Sequence, residues 1–167
     1  MTLAYVGLGS NLDHPRRQLA RAVRALQRLP RTRLVRVSAN YLTAPQGSSV
    51  PQPDYVNAVA MLQTALAPRA LLDRLQRIER LHRRKRPRER NAPRTLDLDL
   101  LLFGGRRLQA KDLSIPHPRM HVRAFVLRPL ADVAPAARIP GHGPVKPLLR
   151  RVSAQRVART RAHRVPG

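Results

Sequence analysis

The sequence predicts an α+β domain with a ferredoxin-like β-α-β-β-α-β core, an antiparallel sheet with helices packed on it in three α/β/α layers. Three observations carry that expectation. Four apolar runs have strand length and residue type, near residues 3–8, 34–43, 55–66 and 96–103. Amphipathic helical patterns fill the gaps between the first and second runs and between the third and fourth, and short strands interleaved with helices in that order describe the split β-α-β arrangement. A length of 167 residues suffices for one core and is short for two.

The first strand, Leu3 to Leu8, is expected to end in a tight turn through Gly7-Leu8-Gly9-Ser10-Asn11, because glycine tolerates unusual backbone angles. Asp13 is expected to cap the next helix, with Pro15 in its first turn. Leu19, Val23, Leu26 and Leu29 recur at helical spacing and leave Arg16, Arg17, Arg21, Arg24 and Arg28 on the solvent side. The second strand covers about 34–43. Residues 44–54 hold three prolines, a glycine and two serines and form a long loop of the kind that often carries function.

Tyr55 to Leu66 forms the third strand, and Pro68 opens a helix that turns Leu71, Leu72, Leu75 and Ile78 inward. On that helix Leu72, Gln76 and Glu79 share one edge, which could border a pocket. Arg80 to Arg94 is too basic to pack and either lies in water or holds anions. Ile115-Pro116-His117-Pro118 is extended by its prolines, and Val122 to Leu130 suggests a third helix that Pro129 ends or kinks. We expect one domain over 1–150 and a basic C-terminal tail, helical or frayed, over 151–167.

Thirty-three basic residues, nearly all arginine, oppose nine acidic ones for a formal charge of +24, a field that favours polyanions. Nucleic acid could bind this surface without specificity, but the few aromatic residues, Tyr5, Tyr41, Tyr55, Phe103 and Phe125, make a poor base-stacking platform. With no cysteine there is no disulfide frame and no thiolate chemistry. No run is long and apolar enough for a membrane span, so a soluble, unprocessed, cytoplasmic protein is expected, with no membrane partner, acting as a monomer.

The most informative stretch is Arg94-Thr95-Leu96-Asp97-Leu98-Asp99-Leu100-Leu101-Leu102-Phe103. Side chains two apart on a strand share a face, so Asp97 and Asp99 project together and need a cation. A hard divalent ion such as Mg²⁺ binds through one or two carboxylates plus substrate phosphates. Arg84, Arg86, Arg90 and Arg94 lie nearby in sequence, and arginine forks suit phosphate oxygens. There is no Walker loop, since Gly7-Leu8-Gly9 lacks the rest of that pattern. His117 is a base, a phosphate donor or a packed imidazole.

Pro53-Asp54-Tyr55-Val56-Asn57, Gln76-Arg77-Ile78-Glu79, Pro93-Arg94-Thr95-Leu96-Asp97-Leu98-Asp99, Pro116-His117-Pro118 and Arg123-Ala124-Phe125 together closely resemble the 6-hydroxymethyl-7,8-dihydropterin pyrophosphokinase family of folate biosynthesis. The Gly7 to Asn11 segment matches as well, and the likeness runs in order from Leu3 to about Pro140. The resemblance implies transfer of pyrophosphate from ATP to the reduced pterin with release of AMP. It implies two Mg²⁺ ions on Asp97 and Asp99, and a catalytic set of Arg84, Arg94, Asp97 and Asp99. ATP contacts are implied for Leu72, Gln76, Glu79, Arg84, Arg86, Arg94, Leu100, Ser114, His117 and Arg123. Pterin contacts are implied for Thr43, Ala44, Gln46, Asn57 and Asp97, with the ring between Tyr55 and Phe125. Three positions depart from the family: Asn91 where a tryptophan is frequent, Pro118 where a tyrosine often follows the histidine, and Arg83 where the basic loop usually starts with glycine.

Overall fold

The computed structural model describes residues 1–44, 53–82 and 96–160. Its elements are β1 (Thr2–Ser10), α1 (Pro15–Gln27), β2 (Thr32–Val37), β3 (Tyr41–Thr43), β4 (Tyr55–Thr64), α2 (Pro68–His82) and β5 (Asp97–Phe103). There follow β6 (Leu108–Ala110), β7 (Leu113–Ile115), a 3₁₀ turn at Met120–Val122, α3 (Ala124–Val133), β8 (Arg138–Ile139), β9 (Gly143–Pro144), α4 (Val145–Arg151) and β10 (Ala158–Arg159).

The central six-stranded sheet runs β10-β3-β4-β1-β5, with β2 beside β3 along the same edge of β4. Every pairing in it is antiparallel. The predicted β-α-β-β-α-β core is therefore present, and each face of the sheet is covered. On one face Ala4, Val6, Leu8, Ala58, Ala60 and Leu98 pack against Leu19, Ala22 and Leu26 of α1 and Leu71, Leu75 and Ile78 of α2. On the other, Val59, Met61, Leu101 and Leu102 meet Val126, Leu127 and Leu130 of α3 and Leu148 of α4. A register shift opposite Tyr5 and Val6 explains why the adjacent Leu101 and Leu102 both join the second cluster: an extra residue in the strand breaks the alternation of faces.

Several local expectations are corrected. Gly7 to Ser10 is not a turn; β1 continues through it, paired with β4 as far as Ser10 and with β5 as far as Gly9. Asp13 does not cap α1, because Asp13 and His14 both have positive φ and the cap residue, His14, makes no side-chain capping bond. The expected second strand is two strands. The chain breaks at Ser38, whose backbone N–H and hydroxyl oxygen bond the carbonyl and N–H of Val59, each at 2.9 Å. Pro129 does not end α3, which runs on to Val133. The β6–β7 and β8–β9 hairpins and α4 had no counterpart in the sequence reading. Nor are residues 158–160 helical or frayed: Ala158 and Arg159 pair with Leu42 and Tyr41, and Thr160 N–H donates to Asn40 O at 2.9 Å; the rest of the expected tail, 161–167, lies outside the described residues.

Tyr41 joins the sheet to α3. It is 1% exposed, and its hydroxyl donates to the Asp132 carboxylate. Burial first, and then this hydrogen bond, raise its pKa above the ordinary tyrosine value. A raised folded-state value favours the protonated form, so this contribution is complete below about pH 10 and is lost as pH rises through the folded-state value. Tyr41→Phe should cost about 1 to 2 kcal/mol, the ordinary worth of such a bond. Urea denaturation at pH 7 and above pH 10 should show the difference between the two proteins shrinking at the higher pH.

Candidate active site

The site begins with two residues that have no side chain. In β1, Gly9 lies between Asn57 of β4 and Asp97 of β5, and Gly7 lies between Val59 and Asp99. Strands are about 4.8 Å apart, so Asn57 and Asp97 stand about 10 Å apart across bare backbone. A Cβ on Gly9 would come 3.0 Å from Asn57 Oδ1. Glycine in a strand interior costs roughly 0.5 to 1 kcal/mol relative to alanine, and here the cost leaves room above the sheet.

That room is a cavity of about 260 Å³ lined by Thr43, Ala44, Tyr55, Asn57, Asp97, Asp99, Arg123 and Phe125, with Gly7 and Gly9 beneath. Asn57 is buried, and its Nδ2 donates to Thr43 Oγ1 at 2.8 Å, so its amide orientation is set by the neighbouring strand. The Arg123 guanidinium lies 5.5 Å from the centre of the Phe125 ring, a cation–π distance.

A second cavity, about 600 Å³, lies along the outer edge of β5. Leu72, Gln76, Glu79 and Arg80 of α2 form one wall; Lys111 to Ser114, His117 and Pro118 form the other. An Arg69–Asp112 ion pair of 2.8 Å links α2 to the β6–β7 hairpin. Leu98 N–H, on the exposed edge of β5, donates to Glu79 Oε2 at 3.3 Å. Asp97 and Asp99 line both cavities, and the two spaces meet at the carboxylate pair.

His117 stands beside that junction. Its backbone N–H donates to Leu101 O at 2.9 Å, tying the segment to β5. Burial lowers its pKa below the ordinary histidine value; the Asp99 charge opposes this, while Arg123 and Arg119 reinforce it. The imidazole is thus neutral near pH 7. Its Nδ1 faces Arg119 N–H at 3.4 Å, which leaves Nε2 to carry the proton.

Of the residues singled out in the sequence, Leu72, Gln76, Glu79, Leu100, Ser114 and His117 line the larger cavity. Thr43, Ala44, Tyr55, Asn57 and Phe125 line the smaller one. Arg123 faces the smaller cavity rather than the larger. Gln46, Arg84, Arg86, Arg90 and Arg94 lie outside the described residues. Sequence reasoning missed the part played by Gly7 and Gly9, which it read as a turn, and missed Lys111 and Asp112. Two glycines alternating within an apolar run were the available signal for a bare strip of sheet.

The chain matches known proteins over most of its length. Residues 5–135 match the family described as 7,8-dihydro-6-hydroxymethylpterin-pyrophosphokinase. The chain is 54% identical over 136 residues to the 2-amino-4-hydroxy-6-hydroxymethyldihydropteridine pyrophosphokinase of Pseudomonas aeruginosa, covering 81% of this chain and 83% of that one. It is 50% identical over 134 residues to the protein of the same name from Haemophilus influenzae, covering 80% and 82% respectively. Among solved structures, Plasmodium falciparum HPPK-DHPS with pteroate superposes with a TM-score of 0.73 at 13% identity, over 92% of this chain and 42% of that one. This chain thus spans less than half the length of that protein, and the likeness is one of fold.

Gly9→Ala should raise the floor of the smaller cavity without unfolding the protein, since its Cβ comes 3.0 Å from the side-chain Oδ1 of Asn57 and a small shift of that amide relieves the contact. We expect the melting temperature to change by only a few degrees while affinity for a flat ring ligand in that cavity falls at least about tenfold, the cost of some 1.4 kcal/mol. Calorimetric titration alongside a thermal melt checks both.

Proposed function

Since this chain belongs to the 7,8-dihydro-6-hydroxymethylpterin-pyrophosphokinase family, we propose that Asp97 and Asp99 mark the boundary between its two substrates. The enzyme transfers pyrophosphate from ATP to 6-hydroxymethyl-7,8-dihydropterin, releasing AMP, in folate biosynthesis. In our reading the pterin occupies the smaller cavity and ATP the larger. The observation that carries it is the shared carboxylate pair: two cavities of about 260 and 600 Å³ open onto the same two side chains.

The chemistry forms a bond between the pterin hydroxymethyl oxygen and the β-phosphorus and breaks the bond from that phosphorus to the oxygen bridging it to the α-phosphorus. The hydroxymethyl proton is lost, and AMP departs. Such transfers depend on positioning and on neutralising charge. Tyr55 and Phe125 hold the ring from its two faces, Asn57 reads its amide edge, and Thr43 keeps the Asn57 amide in orientation. Backbone groups around Ala44 and Gln46 complete the polar contacts. Leu72, Gln76, Leu100 and Ser114 hold the nucleotide. His117 from the larger cavity and Arg123 from the smaller both face the Asp99 charge, one offering a neutral donor and the other a positive charge. Arg84, Arg86 and Arg94 are assigned to the triphosphate on the family resemblance.

The carboxylate pair fits magnesium. Both donors are hard oxygens, and no group of three or more His, Asp and Glu side chains that could hold a metal stands together among the described residues. Such a donor set suits an ion that takes its remaining ligands from phosphate and water. Asp97 and Asp99 would hold two Mg²⁺ ions, which when bound neutralise the triphosphate and polarise its β-phosphorus. Glu79 keeps β5 in place from behind through the Leu98 peptide.

No described helix is long and apolar enough to cross a membrane, and the same reading has the enzyme working in the cytoplasm as a monomer. Its excess positive charge would contact nucleic acid only without specificity. Purified protein with ATP, Mg²⁺ and the pterin should release AMP only when the pterin is present. Asp97→Asn should lower that rate by at least about a thousandfold, some 4 kcal/mol of barrier, and EDTA should stop the wild type. AMP release that persists in Asp97→Asn would overturn the assignment of the pair.

A further inference from the structure

The N-terminal turn of α3 presents an unusual difficulty. Its N-cap residue is Arg123, whose guanidinium has donors and no acceptor. It therefore cannot do what serine, threonine, asparagine or aspartate does there, and it makes no side-chain capping bond. The first turn contains no acidic residue either. A residue committed to the site occupies the position from which a helix normally satisfies an N–H of its own first turn.

Gln155 satisfies a different N–H of that turn, the first, from outside the helix. Its Oε1 accepts from Ala124 N–H at 2.9 Å, and its Nε2 donates to Val122 O at 2.9 Å. These atoms belong to the peptide groups immediately before and after Arg123, so one amide spans both. Gln155 lies twenty residues beyond the end of the family match at residue 135. The same stretch of chain continues into β10, which pairs with Leu42 and Tyr41 next to Thr43. Residues 155–160 thus touch both walls of the smaller cavity from outside, at the start of α3 and at β3.

We propose that Gln155 is a positioning residue, which holds the two peptide groups flanking Arg123 and thereby sets Arg123 and Phe125 at the smaller cavity. The side chain does not line that cavity and acts through the backbone of α3. With the amide removed, Arg123 keeps its own backbone bonds to Met120, Val126 and Leu127, but the Val122 carbonyl and the Ala124 N–H lose their shared partner and the first turn of α3 holds the Phe125 ring less firmly. Ground-state placement of a flat ring is sensitive to such a change. The inference rests on the reading that Phe125 holds the pterin.

The test compares Gln155→Met, which keeps the length of the side chain and removes both hydrogen bonds, with Phe125→Ala and Thr32→Val. Thr32 bonds Thr64 at 2.7 Å at the opposite end of the sheet and serves as a control for lost stability. We expect Gln155→Met to raise the pterin KM and dissociation constant about three- to tenfold, at most about 1.4 kcal/mol. Thr32→Val should leave both unchanged even where its melting temperature falls as far. Unchanged pterin affinity in Gln155→Met, with Phe125→Ala weakened, overturns the role of Gln155 alone. Unchanged affinity in Phe125→Ala overturns the pterin site on which it rests. An equal loss of affinity in Thr32→Val at equal loss of stability makes Gln155 a structural residue only and also overturns the proposal.

Discussion

The register of β1 between β4 and β5 is the constraint on which the site depends. Because Gly9 falls between Asn57 and Asp97, and Gly7 between Val59 and Asp99, the Asn57 amide and the two carboxylates face one another across bare sheet. A slip of one residue would turn every side chain of β1 to the other face. It would bring Leu8 into the cavity and the glycines into the core under α1 and α2. The apolar side chains of Ala4, Val6 and Leu8, fully or almost fully buried, hold the register against that slip. The helix-covered face of the sheet thereby sets the geometry of the open one.

Charge is distributed to the same end. Of the nine acidic residues in the protein, Asp97 and Asp99 sit together at the junction of the two cavities. Elsewhere the surface is strongly basic, and anions are drawn to it from a distance of about a Debye length. The larger cavity carries Arg80 and Lys111 in its lining beside Glu79 and Asp112, and the carboxylate pair lies where it meets the smaller one. His117 beside it is kept neutral chiefly by burial, so it adds a hydrogen-bond donor there without a further charge.

The layer of α3 and α4 serves two purposes. Leu127, Leu130 and Leu148 close the second core, while the first turn of α3 stops short of covering Gly7 and Gly9 and presents Arg123 and Phe125 to the opening. A helix end left partly uncovered must still satisfy its first N–H groups. Gln155 and the β10 pairing show how the end of the chain contributes to that, and the Tyr41–Asp132 hydrogen bond fastens the same helix to the sheet edge carrying Thr43.

The order of strands and helices, the inward faces of α1 and α2, and the pairing of Asp97 with Asp99 were legible in the sequence, because each follows from spacing along a single element. The apolar stripe through Leu71, Leu75 and Ile78 could face nothing but a core, and aspartates two apart on a strand had to share a side. The family motifs likewise identified Tyr55, Asn57 and Phe125 as companions though they come from different elements. The tertiary structure alone decided that Gly7 and Gly9 are floor rather than turn, since a glycine pair is compatible with both until strands pair on each side. It alone decided that β10 joins the sheet and that Gln155 reaches the peptides around Arg123, a contact across thirty-one residues for which local sequence carries no signal. Periodicity reports which face of an element is buried; which partner lies against it depends on how the whole chain packs.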